Sequence, residues 1–181
     1  MTQSRPTGAL KIALVGPTHP FKGGVAAHTT QTAHHLAGAG HQVDLVSWSK
    51  LYPQRLYPGE QAVPEGEPDG PPFEPTVRPL RWDRPGSWLR TGRSLRGHDL
   101  VVLVVVVPAQ VPALLTLSQA ARGGWLLGRR RAASRTTAPR IVVLAHNVVP
   151  HETHPGGRAL MTRLLRSADA VLVHSPEQAG L

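Results

Sequence analysis

The chain has 181 residues, enough for one well-buried domain, whereas two domains would each fall near the lower limit of independent stability. A hydrophobic content of 40% with 17% charged residues excludes wholesale disorder. Lys+Arg 20 against Asp+Glu 11 gives a formal net charge of +9, which favours anionic partners in general without choosing among phosphorylated small molecules, nucleic acid and acidic membrane surfaces.

In chain order, "KIALVG" (11–16) reads as a strand buried on both faces, short and continuously apolar. The loop "GPTHPFKGG" follows, and its Gly23 and Gly24 open a helix predicted over 24–38, ended by Gly38 and Gly40. "QVDLVSW" (42–48) is the second strand. Residues 49–75 then break the rhythm with dense Pro and Gly, and read either as a flexible insertion or as a binding flap. "LVVLVVVV" (100–107) is the third strand, followed by a helix over about 110–122. The stretch 121–140 carries Arg122, Arg129, Arg130, Arg131, Arg135 and Arg140 without an acid, beside Trp125, Leu126 and Leu127. It fits a solvated basic loop or an anionic membrane interface. "RIVVLAH" (140–146) is the fourth strand, 157–167 a helix with Leu160, Leu164 and Leu165 on one face, and "AVLVHS" (170–175) the fifth strand. Strands alternating with helices predict a doubly wound α/β sheet, because each parallel crossover must return over the sheet.

Ligands of open parallel sheets bind beyond the carboxyl ends of the strands. There the sequence places "GPTHPFKGG", "AHNVVPHE" and "HSPEQ". Glycines before a helix let backbone N–H groups approach an anion. The dinucleotide fingerprint G-x-G-x-x-G and the Walker loop are both missing, which argues against nicotinamide and ATP chemistry. His146, His151 and His154 with Glu152 invite a metal reading, but their loop has no fixed ligand spacing and contains a proline, so no metal is assigned. Ser175 after His174 lacks the G-x-S-x-G elbow of a hydrolase.

These segments together resemble the N-terminal domain of family 4 glycosyltransferases, two-domain enzymes of the GT-B fold. The likeness rests on "KIALVGPTHPFKGGVAAHTTQTAHHLAGAGHQVDLVSW", "YPQRLYPG", "IVVLAHNVVPHE" and "SADAVLVHSPEQ", in family order. It implies a Rossmann-like domain that binds the acceptor, one half of an enzyme that transfers sugar from a nucleotide-sugar with retention and without a required metal or cofactor. By resemblance, Gly23 and Gly24 face the donor phosphates and the acceptor, and His146 is the strand-end histidine beside the transferring sugar. Asn147 and Glu152 are candidates for sugar or loop contacts, and His28 matches the histidine after the glycine loop, where packing of the helix is its alternative role.

The sequence stops at "EQAGL", so the resemblance implies the acceptor-side domain alone over 1–181, without the donor-binding C-terminal domain and inactive without it. Its partners would be a nucleotide-sugar, a sugar or lipid-linked acceptor and a second copy of itself, with no nucleic acid. The alternative is a stand-alone module that binds anionic lipid through Arg129, Arg130 and Arg131 without catalysis. Cys 0, a start unlike a secretory signal and apolar runs short of roughly 20 residues suggest a cytoplasmic protein, peripheral at most to the inner membrane face.

Overall fold

The computed structural model describes residues 8–51, 71–124, 138–146 and 156–176. Six parallel strands form one sheet: β1 (Lys11–Val15), β2 (Gln42–Lys50), β3 (Thr76–Arg81), β4 (Leu100–Val105), β5 (Arg140–Ala145) and β6 (Ala170–Val173). Their order is β3-β2-β1-β4-β5-β6. The chain first builds outward from β1, then crosses back to lay β4 on its free side, so the order reverses between β1 and β4. Such a reversal opens a crevice at the carboxyl ends of the two strands.

Strand burial follows position in the sheet. The inner strands β1 and β4 are almost wholly buried, because helices cover both faces and leave no solvent side for polar residues. One face is packed by α2 (Pro85–Ser94), α3 (Val111–Ala121) and α4 (Gly157–Ser167): Ala13, Val15, Leu103, Ile141 and Val143 meet Leu114, Leu117, Met161 and Leu164. The other is packed by α1 (Gly24–Gly38), where Ile12, Leu14, Val43 and Leu45 meet Ala33. The sheet is therefore doubly wound, as the alternation of elements predicts.

Two elements lie outside the sequence expectation. β3 reads "TVRPLR", and a proline inside it removes one ladder donor; it is tolerated because β3 is an edge strand. α2, "PGSWLRTGRS", holds two glycines, which are poor helix formers, yet it starts on Pro85 and packs on α3. Gly92 makes that packing possible. A Cβ there would lie 2.5 Å from the Leu117 carbonyl oxygen and 2.6 Å from Ala120 Cβ. The strand expected over 100–107 ends at Val105, where the side-chain oxygen of Gln110 accepts from the Val106 and Val107 amides at 3.0 and 3.3 Å and turns the chain into α3.

Arg122 is not part of a free basic surface. Its guanidinium donates to the Ser167 carbonyl at 2.8 Å and to Asp169 Oδ2 at 2.6 Å, while the same carboxylate oxygen accepts from the Ile141 amide at 2.7 Å. Burial works against ionising Asp169, but these donors outweigh it and hold its pKa below the usual carboxylate value. The knot fastens the ends of α3 and α4 to the starts of β5 and β6, at the sheet end away from the crevice. Among the described residues no helix is long and apolar enough to cross a membrane.

Candidate functional site at the strand ends

Three histidines meet at the carboxyl rim. His28 lies in the second turn of α1, His146 directly follows β5 and His174 directly follows β6. The rings of His146 and His174 have centroids 4.3 Å apart and are tilted by 40°. His28 approaches both edge-on, at 5.2 Å from His146 and 5.1 Å from His174.

The contact with His28 fixes where the glycine bend must be. Gly24 is one helical turn before His28, and a turn rises about 5.4 Å, so the start of α1 stands at the same rim as His146. Gly23 adopts φ +110°, a left-handed value that favours glycine. Its carbonyl accepts from the Ala26 and Ala27 amides at 3.0 and 3.2 Å, and α1 has neither a side-chain cap nor an acid in its first turn. At Gly24 a Cβ would meet nothing within 4 Å, so that glycine leaves open space rather than meeting a packing need. The loop itself is held from within. Thr30 donates its hydroxyl to the Ala26 carbonyl at 2.9 Å, which makes Thr18 the donor in the buried 2.7 Å bond between the two threonine hydroxyls. Arg78 donates to the His19 carbonyl at 2.7 Å and ties the loop to β3.

Electrostatically the site favours neutral rings at His146 and His28. Burial comes first and the neighbouring His174 and His28 second in pushing the His146 pKa down to about 4, and burial followed by His174 lowers that of His28. His146 is thus uncharged at neutral pH and offers one ring donor and one ring acceptor. His28 Nδ1 and His146 Nε2 are buried and lack a hydrogen-bond partner in the described structure. Each such group costs about 1–3 kcal/mol, which core packing alone does not explain. The arrangement can bind hydroxyl groups and stabilise developing charge. Among the described residues no three His, Asp or Glu side chains are placed to hold a metal ion.

His146 has its pKa depressed from 6.5 to about 4 on folding, so its contribution is full above pH 6.5 and is lost as pH falls through 4. Allowing for solvent screening of a half-buried group, this amounts to on the order of 1–2 kcal/mol. In urea titrations at pH 7 and pH 4, His146→Asn is expected to lose less stability between the two than the native chain. An equal loss in both would remove His146 as the source.

Among the sequence candidates, the structure thus brings Gly23, Gly24 and His146 to one rim. Asn147 and Glu152, like His151, His154 and Arg129, Arg130 and Arg131, lie outside the described residues, as does most of 49–75. His174 has no place among the sequence candidates, although the pattern contained it: it occupies the first position after β6, the place His146 holds after β5.

No protein-family model and no curated protein matches the chain. Its fold is that of part of solved α-glucosyltransferases. An α-glucosyltransferase in complex with UDP is similar over 92% of this chain and 35% of its own, with TM-score 0.53 and 13% identity. An α-glucosyltransferase in complex with UDP and a 13-mer DNA containing a central A:G mismatch is similar over 94% of this chain and 38% of its own, with TM-score 0.52 and 14% identity. The chain spans little more than a third of the length of these structures.

Proposed function

We propose that this chain forms the acceptor-side half of a glycosyltransferase site, of the family 4 GT-B type, which transfers sugar from a nucleotide-sugar with retention. The observation that carries the reading is the ring contact between His28 and His146, which joins the start of α1 to the end of β5 at the crevice. In this reading the uncapped start of α1, free of acids in its first turn, faces the donor phosphates, since a helix N-terminus favours anions. The neutral His146 hydrogen-bonds a sugar hydroxyl and stabilises charge that develops during transfer. Asn147 and Glu152 add sugar or loop contacts, and the acceptor is a sugar or lipid-linked molecule rather than the DNA bound in one similar structure.

The nucleotide in this proposal is gripped by a second, donor-binding half, so the 181-residue chain by itself turns over no nucleotide-sugar. The protein acts in the cytoplasm, at the inner membrane face when its acceptor is lipid-linked. The test joins the chain to the donor-binding half of a family 4 enzyme and follows nucleotide release from nucleotide-sugars. Turnover is expected, with His146→Ala lowering kcat about 10²-fold, the scale for losing one preorganised hydrogen-bonding group. An unchanged kcat would refute the role of His146, and no turnover with any nucleotide-sugar would refute the function.

A further inference from the structure

We propose that His28 and His174 are positioning residues for His146, clamping its ring from α1 and from the end of β6 so that the three imidazoles act as one hydrogen-bonding unit. The inference deepens the sugar-transfer reading and rests on it for its function, but the coupling it asserts belongs to this chain alone.

The His146 ring is stacked at a 40° tilt against His174 and met edge-on, at 87°, by His28. Two planes at such different angles leave the His146 ring little freedom to turn about its own axis. Three separate elements supply the rings, so the clamp depends on the whole rim and not on one flexible loop. Charge adds a second constraint. Two imidazolium ions with centroids 4.3 to 5.2 Å apart would repel strongly in partly buried surroundings, so protonating any one ring disfavours the others. His174 and His28 are the charged or titratable groups acting on His146 among the described residues, and no carboxylate stands among them to reward protonation.

The chemical consequence concerns what the rim accepts. A cationic histidine would attract phosphate and be silenced by it. A neutral one presents a donor and an acceptor, which matches a hydroxyl group, itself both donor and acceptor. The site accordingly divides its labour: the start of α1 suits anions, and the neutral His146 held by its two neighbours suits polyhydroxyl ligands.

The test is a pH titration of the histidine ring nitrogens by long-range nitrogen–proton NMR on the 181-residue chain, without sugar or nucleotide. In the native chain His146 is expected to titrate near pH 4. His174→Asn should raise that midpoint by at least about half a pH unit, a threefold change in proton affinity, and His28→Asn should raise it by less. An unmoved midpoint in both variants overturns the proposal. Should either variant fail to keep the native amide fingerprint, ring-to-ring nuclear Overhauser contacts in the native chain decide: His146 contacts to both His28 and His174 support the clamp, and their absence overturns it. Because no turnover is measured, a failed coupling leaves the sugar-transfer reading standing, and a coupled trio in an enzyme without turnover refutes only that reading.

Discussion

Leu103→Ala is expected to destabilise the chain by about 3–4 kcal/mol, lowering the thermal midpoint by roughly 6–15 °C for a domain of this size. Leu103 is fully buried in β4, where it is paired with Val15 of β1 on one side and Val143 of β5 on the other. Truncation removes its transfer free energy and also leaves a cavity. The sheet cannot close around it, because β4 is hydrogen-bonded along both edges and its face is pinned by α3. Leu172→Ala is the matching control. That leucine is 53% exposed on the edge strand β6 and should change stability by no more than about 0.5 kcal/mol. Denaturant unfolding of both variants with an unchanged slope measures the difference. A loss below about 1 kcal/mol at Leu103 would mean that β4 does not lie at the centre of the sheet.

The second large effect has an unusual sign. Glycine to alanine inside a helix ordinarily stabilises by up to about 1 kcal/mol, because alanine costs less conformational entropy. At Gly92 the added methyl would press on the Leu117 carbonyl oxygen and Ala120 Cβ at distances no real Cβ occupies. Backbone cannot give way as the tip of a flexible side chain can, so α2 must move off α3 or tilt. We expect Gly92→Ala to lose about 2–3 kcal/mol. Gly86→Ala, six residues earlier, meets nothing nearer than an arginine side-chain nitrogen at 4.0 Å and should be neutral or slightly stabilising. A gain at both positions would refute the close approach of the two helices.

These two positions also indicate how far the fold could be read from residue order. "LVVLVVVV" announces a central strand, since only burial on both faces accommodates so continuous an apolar run. Gly92 announces nothing: its need arises from α3, which lies far along the chain, and local propensity marks α2 as a weak helix. β3 is hidden in the sequence for a related reason. Its Pro79 argues against a strand until one knows that it sits at the sheet edge beside β2. At the site, the glycine bend and His146 were legible from their positions beyond strands, by the crevice rule. His174 was harder to see, because the same dipeptide position also suggested a nucleophile beside a base, and only the spatial meeting of three rings gives it a different meaning.

That meeting draws its members from the first helix and from the last strand of the described sheet. β1, β2 and β4 pack among themselves and their helices without β6, whereas the rim needs it. The cluster is complete only when β6 is docked on β5, which brings the sequence-distant ends together. A change that loosens β6 would therefore remove His174 from the rim while β1, β2 and β4 stay packed in the core.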